Sequence, residues 1–495
     1  MCKISDSNVR VVRRSAIKIE EKQVYKGERI ISLEEVERHY RADDFWAAID
    51  GEVYDLTKFK HPGGVIMNGC AGIDATVVFS HYHYADLKRA RAMIRRYKIG
   101  KLDRPSPIMG KFYEDLSVRV AAVLKGVNPR PLRGVIMFFV DWFSMVGCVI
   151  LGNWMYFNDV RNPILLFLVP YMLKMFDSRM GSQAHALGHL HIFKPTSKIT
   201  RILEMFMLAM GDKTTLVYEL PTEWGNCRQL INQTRSESQY EFYGRRGPYE
   251  HQLIHHVKGA DMDHDECKGL MSHKNILRLN DHDDYKFFHK FQKHGIYQFL
   301  VFTMSENYGL AAHFVLRLRD MGDTFQLGKY DNFFCLFIGL FFAVGVIIAG
   351  VLLPFRNLWS LLVIHLMQLF VPPLWFVFYA QHDWGSHVDE ATADSDWGRH
   401  NAETSMSFWG ADARNSWHPL FLGMGGANGA TLSYHLEHTL FPGINYLLLP
   451  KIAPTVEQVC KEHNVKYNKL ESFDELKKHF RDNLKSNSRP PLKTE

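Results

Sequence analysis

Apolar residues are spread unevenly along this chain, and their spacing predicts two kinds of region. Residues 134–157 and 163–176 form two nearly continuous apolar stretches, and residues 332–354 and 358–380 form two more. A helix of about 20 apolar residues crosses a hydrocarbon layer of roughly 30 Å. We therefore predict four spans arranged as two membrane hairpins, with all other parts of the chain on one side of the membrane.

Residues 30–102 have the shorter pattern of a small soluble unit. Ser32 followed by Glu35 is typical of a helix amino terminus, and residues 45–49 and 52–56 have the composition of short strands. The prolines after residue 102 indicate a linker that carries one amphipathic helix.

These patterns predict five consecutive parts. They are an amino-terminal extension (1–29), a small soluble domain (30–102), a linker with one amphipathic helix (103–133), a membrane domain (134–484) and a disordered polar tail (485–495).

Composition and charge exclude several classes of function. The 59 basic and 53 acidic residues leave a formal charge of +6 over 495 residues, which is too mild to indicate a nucleic-acid partner. The seven cysteines include no Cys-x-x-Cys pair, so neither a disulfide framework nor a zinc knuckle is predicted. Residues 1–30 lack the apolar core of a secretory signal, which favours a cytosolic amino terminus.

A histidine-containing turn in the soluble domain is the first sign of chemistry. His61-Pro-Gly-Gly places an imidazole beside glycines that let the backbone pass close to a flat ligand. His81 and His83 follow after a short helix-forming stretch, so either could supply a second imidazole. Two imidazoles on one iron leave no open position, and such a haem passes single electrons.

Three further histidine clusters lie beside the apolar stretches. They are His185 with His189, then His251, His255 and His256, and then His435 with His438. Spacings of three or four residues put two imidazoles on one face of a helix. Neutral imidazoles from several helices are suitable ligands for a pair of non-haem irons.

The soluble domain resembles cytochrome b5. The resemblance rests on His61-Pro-Gly-Gly and on residues 71–76, Ala-Gly-Ile-Asp-Ala-Thr. It implies that haem b is bound between His61 and His83, with His81 as the second candidate.

The histidine clusters resemble the three histidine boxes of membrane fatty-acyl desaturases. The most telling segment is residues 434–442, Tyr-His-Leu-Glu-His-Thr-Leu-Phe-Pro, and the fused haem domain points to the front-end branch, which includes sphingolipid long-chain-base desaturases. The resemblance implies a multi-domain fold: a small α+β haem domain, then an all-α membrane domain with about four transmembrane helices and a cytosolic histidine-rich helical cap. It implies two non-haem irons held by His185, His189, His251, His255, His256, His387, His435 and His438.

The same resemblance implies a reaction and its partners. O2 is the co-substrate, two adjacent methylenes of an acyl lipid or acyl-CoA lose hydrogen, and an NADH-cytochrome b5 reductase supplies electrons through the haem. Unactivated C–H bonds require a metal and oxygen, because side-chain acids and bases cannot break them. A multi-pass protein of the endoplasmic reticulum membrane, in contact with membrane lipids and with both termini cytosolic, is the implied setting.

Two positions depart from the desaturase pattern. Ala186 stands where the first box has an aspartate, and Thr439 stands where the third box has its last histidine. His191 or His418 could replace the missing imidazole. These departures leave open an inactive haem-containing membrane protein that relays electrons or binds lipid. A lipid hydroxylase with the same two irons is a further alternative, because the sequence does not separate hydroxylation from desaturation.

Overall fold

The architecture is taken from a computed structural model of the chain. It describes residues 28–189 except 42, 64–66 and 68, then 192–194, 255–258, 277–279, 285–298, 341, 344–356, 395–408 and 433–490 except 472. The predicted span at 358–380 and most of that at 332–354 lie outside the described residues.

The amino-terminal domain is a five-stranded sheet with three short helices. Its elements are β1 (Ile30–Ile31), α1 (Leu33–Arg38), β2 (Tyr40–Arg41), β3 (Asp44–Ile49), β4 (Glu52–Asp55), α2 (Thr76–Tyr82), α3 (Leu87–Ile94) and β5 (Lys98–Leu102). The strand order is β1-β5-β4-β3-β2, in which only the β1–β5 pair is parallel. Ser32 begins α1 as predicted, because its Oγ accepts a hydrogen bond from the Glu35 backbone N–H at 3.1 Å.

Alternation along β3 builds a core on each face of this sheet. Phe45, Ala47 and Ile49 pack on the face that carries α2 and α3, whereas Ala48 packs on the other face with Val53. Side chains two residues apart point to the same face of a strand. The predicted strands at 45–49 and 52–56 are therefore confirmed, the second ending at Asp55.

The rest of the described chain is helical apart from one short strand pair. The helices are α4 (Gly110–Val123), α5 (Leu132–Phe157), α6 (Pro163–Gly188), α7 (His255–Lys258), α8 (Trp397–Thr404), α9 (His435–Leu440), α10 (Leu449–Glu462) and α11 (Phe473–Ser486). Strands β6 (Ser407–Phe408) and β7 (Lys469–Leu470) pair in parallel. Short 3-10 helices occupy Arg95–Tyr97, Phe287–Phe291 and Pro354–Arg356, and a π-helical turn occupies Ile348–Leu352.

Helix α5 is the one described helix long and apolar enough to cross a membrane. One side of it exposes large apolar residues at helical spacing: Ile136, Val140, Phe143, Ile150, Trp154 and Phe157. The other side is buried and holds Asp141, whose carboxylate accepts a hydrogen bond from Gln183 of α6 at 2.7 Å. A helix facing lipid needs an apolar outer face, and a polar side chain within it faces inward and pairs, as Asp141 does. The predicted span at 134–157 lies within this helix.

The third apolar stretch packs closely on α5. Asn153 donates hydrogen bonds to the carbonyls of Val149 and Gly345, each at 2.8 Å. A Cβ added at Gly152 would collide with Ala349. Small residues at such a crossing let two backbones approach, so α5 and the 344–356 segment form a tight pair.

The predicted disordered tail is wrong as far as residue 490. Helix α11 runs through Ser486, and Asn487 and Ser488 are buried. The Asn487 side chain donates to the Leu279 carbonyl at 3.0 Å, and Arg278 donates to the Arg489 carbonyl at 2.9 Å. The polar composition of this tail suggested that solvent surrounds it. Instead, it forms hydrogen bonds with residues 278 and 279, more than 200 positions earlier in the chain.

The two domains share a core. Val77 of α2 belongs to the same cluster of buried apolar residues as Leu116 of α4, Leu440 of α9 and Ile452 of α10. Helix α2 therefore packs on the helical domain with one face and on its own sheet with the other.

The start of α4 is locked against the start of α8, which predicts a large effect at one glycine. Gly110 has a φ of +83°, and an added Cβ would collide with the carboxylate of Asp396. That carboxylate caps α8 by accepting from the Arg399 N–H at 3.1 Å. Gly110→Ala is expected to destabilise the protein by about 2–4 kcal/mol, from left-handed strain plus a lost cap.

Gly126→Ala is the matched control for this prediction. Gly126 has a φ of +76° but nothing within 4 Å of an added Cβ. It should cost only the backbone strain of about 1–2 kcal/mol. Thermal unfolding of the detergent-solubilised chain, followed by tryptophan fluorescence, compares the two; equal midpoints would contradict the locked junction.

Candidate haem and metal centres

A cavity in the amino-terminal domain brings two of the predicted haem ligands together. The His61 and His83 rings lie 5.9 Å apart, centre to centre, with their planes at 84°. They line a cavity of about 540 Å³ whose other walls are mainly apolar: Ala47, Ile49, Leu56, Phe59, Met67, Val78, Phe79 and Ile94. Its size lies within the roughly 300–1,000 Å³ of typical cofactor pockets. We call it the haem cavity.

The hydrogen bonds of the two rings differ. His83 Nδ1 donates to the Phe79 carbonyl at 2.8 Å, which leaves Nε2 with a lone pair for a metal. His61 Nδ1 accepts from the Gly63 N–H at 3.0 Å. Ligation through Nε2 puts the proton on Nδ1, so His61 has to give up this bond when a metal binds. The imidazole pair and the apolar walls otherwise fit a haem.

His81 lies on the opposite side of α2 from His83. It is fully buried, and its ring centre lies 5.8 Å from that of Trp397 and 6.5 Å from that of His256. Neither ring nitrogen bonds to any described residue. Residues 81 and 83 point apart because successive helical positions turn by about 100°. His81 is outside the haem cavity walls and faces the helical domain.

One histidine from each of the three sequence clusters meets in the helical domain. His189 directly follows α6, His256 lies in α7 and His438 lies in α9. All three are buried, and their ring nitrogens lie within 4.8 Å of one another. We call them the three-histidine cluster.

The three rings of this cluster lie close together with their planes nearly perpendicular. Their centres are 4.6, 4.7 and 4.8 Å apart, and their planes cross at 90°, 88° and 84°. The Nε2 atoms of His189 and His256 are 3.1 Å apart. Two nitrogens bound at right angles to one ion at about 2.1 Å would be about 3.0 Å apart. The donor set therefore fits a transition-metal ion such as iron.

Two elements hold the cluster in place. Helix α9 ends at Leu440, two residues before Pro442. Within α9, the buried Glu437 accepts hydrogen bonds from Ser407 Oγ at 2.8 Å and Tyr467 Oη at 2.5 Å. Trp397 Nε1 donates to the Val257 carbonyl at 3.1 Å and so ties α7 to α8. These contacts fix the backbones that carry His438 and His256.

Burial favours the neutral form of three imidazoles in the haem domain. It lowers the pKa of His61 to about 4 and that of His81 to about 3, with a smaller contribution from His83 in both cases. Burial also lowers the pKa of His83. A neutral imidazole is the form that binds a metal.

The two residues that depart from the desaturase pattern, Thr439 and Ala186, are both buried. The Thr439 hydroxyl donates to the Leu436 carbonyl at 3.0 Å and lies 3.2 Å from Ser405 Oγ. This side chain is therefore hydrogen-bonded within α9 and lies beside the residue two positions before β6. Ala186 is fully buried in α6. Neither position carries a metal ligand.

The remaining predicted ligands are described in part or lie outside the described residues. His435 is buried in α9 with its ring 6.4 Å from that of His438, outside the three-histidine cluster. His185 is in α6 and His255 in α7, and only their backbones are described. The structure does not describe His191, His251, His387 or His418.

Tyr82 is a residue of this site for which the sequence predicted no role. Its hydroxyl lies 3.1 Å from His189 Nδ1, and the haem cavity extends to His189 itself. Burial raises the pKa of Tyr82 well above its ordinary value, so the hydroxyl stays protonated. The only sequence signal was its place between two histidines.

A haem cavity whose wall reaches a buried cluster of three imidazoles defines an electron-fed metal oxidoreductase. Comparison with known proteins agrees domain by domain. Residues 32–103 match the family "Cytochrome b5-like Heme/Steroid binding domain", and residues 248–471 match the family "Fatty acid desaturase".

Two fatty acid desaturases match nearly the whole chain, and a cytochrome b5 matches its amino-terminal part. A fatty acid desaturase 2-like protein of Mus musculus is 23% identical over 470 residues, covering 90% of this chain and 84% of the relative. A probable Delta(5) fatty acid desaturase of Dictyostelium discoideum is 25% identical over 479 residues, covering 92% and 94%. Cytochrome B5 isoform D of Arabidopsis thaliana is 38% identical over 99 residues, covering 19% of this chain and 69% of the relative. No solved structure matches.

The chain belongs to the cytochrome b5-fused, front-end family of membrane fatty acid desaturases. It is an oxidoreductase with a haem domain and an iron-dependent desaturase domain. The predicted family and enzyme class are thereby confirmed.

Proposed function

We propose that this protein introduces a double bond into an acyl lipid at two non-haem irons, using electrons from its own haem. The observation that carries the proposal is the shared wall between the two centres: His189 belongs to the three-histidine cluster and also lines the haem cavity. A donor and an acceptor this close need no separate carrier between them.

Haem b would be held by His61 and His83. Their rings face across the haem cavity, whereas His81 is turned toward Trp397 and His256. A haem with two imidazole ligands supplies single electrons. The mainly apolar walls of the cavity suit the flat apolar ring of a haem.

The irons would be held by His189, His256 and His438, supplemented by His185, His251, His255, His387 and His435. Only the first three are supported by their mutual geometry. Non-haem iron supplies the activation of O2 that unactivated C–H bonds require. The protein's part is to hold neutral imidazoles in a buried place and to position the chain to be oxidised.

The membrane setting is proposed from α5 and from the sequence. The exposed apolar face of α5 supports one span, and three further apolar stretches would complete two hairpins. In this topology the haem domain and all the histidine clusters face the cytosol of the endoplasmic reticulum. An NADH-cytochrome b5 reductase would then deliver electrons to the haem from that side.

A lipid hydroxylase would use the same residues, and its product separates it from a desaturase. An electron relay without lipid chemistry is the remaining alternative. It is favoured by one observation: the Thr439 hydroxyl is bonded within the protein where relatives of this type are expected to have an imidazole.

Lipid analysis of a host that lacks the activity tests the proposal. Cells expressing the full chain should accumulate an acyl chain with one additional double bond, two mass units below its precursor, while vector-only cells should not. A product sixteen mass units above the precursor would indicate hydroxylation instead. An unchanged profile across fed saturated and unsaturated acyl chains would contradict both.

A further inference from the structure

The haem domain reaches into the metal centre through one side chain. Tyr82 is the last residue of α2, it is covalently adjacent to His83, and its hydroxyl lies 3.1 Å from Nδ1 of His189. His189 turns its other ring nitrogen, Nε2, toward His256 at 3.1 Å. One imidazole therefore contacts the haem domain with one nitrogen and the rest of the three-histidine cluster with the other.

A metal bound at Nε2 would decide where the proton of His189 lies. If Nε2 binds a metal, the proton of the neutral ring is on Nδ1, and Nδ1–H donates to the Tyr82 oxygen. A hydrogen bond to the outer nitrogen of a metal-binding histidine fixes the plane of its ring and raises its basicity. Such bonds usually come from the domain that holds the metal, whereas here the acceptor belongs to the electron donor's domain.

We propose that Tyr82 is the positioning residue that couples the haem to the metal centre. It holds the His189 ring in its ligating orientation, and it completes a path of covalent bonds and one hydrogen bond from His83 to His189. The proposal rests on the proposed function, since it takes His83 as a haem ligand and His189 as a metal ligand.

The redox step needs no chemistry on Tyr82. Haem held by His61 and His83 would supply one electron to a ferric ion held by the three-histidine cluster, so that the haem iron would be oxidised to ferric and the ion reduced to ferrous. No bond forms or breaks, and the phenol keeps its proton and its electrons. The reductant that restores ferrous haem is a flavin-type reductase in the cell or dithionite in the test.

The surroundings hold the Tyr82 ring in position. A Cβ added at Gly443 would come within 3.1 Å of Cδ1 and 3.3 Å of Cε1 of this ring. His81, the residue before it, packs on Trp397 and faces His256. Helix α2 thus meets two of the three cluster histidines at once, which leaves the Tyr82 ring little freedom to turn away.

Tyr82→Phe tests the proposal in the full-length protein, purified in detergent and loaded with haem and iron. The reduced-haem spectrum should be unchanged, because both axial candidates, His61 and His83, and the aromatic ring at position 82 are kept. After stoichiometric reduction with dithionite under anaerobic conditions, oxidation of the haem by the ferric non-haem centre should slow by about 10- to 100-fold, as is typical when a histidine loses such a partner. In protein loaded with Co(II) in place of non-haem iron, the visible absorption bands should shift.

Tyr113→Phe is the matched control. Tyr113 is also buried, and its hydroxyl donates to the Leu440 carbonyl at 3.1 Å, but it contacts none of the three histidines. It loses a comparable bond and should keep wild-type haem oxidation and cobalt spectrum. Gly443→Ala is a second probe that keeps the hydroxyl, and by pushing the ring it should slow haem oxidation less than Tyr82→Phe does.

The outcomes separate this proposal from the proposed function. If Tyr82→Phe matches wild type in haem oxidation rate and in cobalt spectrum, Tyr82 has no coupling role, even if the protein makes product. If Tyr82→Phe and Tyr113→Phe slow haem oxidation equally, the effect is general loosening and the proposal is wrong. If the wild type binds no non-haem metal, the proposed function itself fails.

Discussion

Replacing His438 by alanine is expected to remove the non-haem metal and the unsaturated product together. His438 is one of three mutually perpendicular imidazoles, with ring centres 4.7 and 4.8 Å from those of His189 and His256. Losing a direct ligand should weaken metal binding by more than about 100-fold, beyond the 10- to 100-fold that follows loss of an outer partner. Iron per chain, measured after purification, and the cellular lipid profile are the two readouts.

The control replaces a histidine of equal burial elsewhere. His289 is fully buried, and its Nδ1 accepts from the Lys286 N–H at 2.9 Å, away from the three-histidine cluster. His289→Ala should retain its iron and its product. Haem absorbance should persist in both variants, because neither residue touches the haem cavity. An unaltered iron content in His438→Ala would refute the cluster as the metal site.

His61→Ala is expected to abolish the bis-imidazole spectrum of the reduced haem. One of the two rings that face each other at 5.9 Å disappears, and the haem loses an axial bond. Haem per chain should fall at least about tenfold, and the unsaturated product should fall with it. The non-haem metal should stay, since the three-histidine cluster is intact.

Two further variants define the axial pair. His39→Ala removes a histidine of the same domain that is stacked on Trp46 at 3.7 Å, outside the haem cavity, and should leave the spectrum unchanged. His81→Ala should also keep the spectrum, because that ring faces Trp397. A lost spectrum in His81→Ala with a normal one in His83→Ala would instead make His81 the second ligand.

Local signals predicted the parts of the fold that depend on neighbours in sequence. The Ser32 cap, the alternation of β3 and the apolar run of α5 each appear where the sequence indicated, because capping, pleating and burial act over a few residues. The burial of residues 487 and 488 was missed for the opposite reason. It depends on the Leu279 carbonyl, more than 200 residues away in sequence.

The candidate site also has parts that the sequence predicted and parts that it did not. The histidine spacings indicated which side chains share a helix face, and the resemblance indicated that the boxes belong together. Neither could indicate that α2 would dock on the cluster, because a contact across 107 residues between Tyr82 and His189 leaves no periodic pattern. The same limit applies to His81. Its distance from His61 in sequence suits a haem ligand, but its position on α2 turns its ring away from the haem cavity and toward Trp397.

The core that contains Val77 together with residues of α4, α9 and α10 has a consequence for how the enzyme is supplied. The haem domain packs on the helical domain through this core and does not need to diffuse to it. Turnover should therefore be independent of how much free cytochrome the cell contains. Cutting away the first hundred residues would strip the cover from buried apolar surface. Such a truncated chain should aggregate, and no cytochrome added from outside could stand in for the missing part.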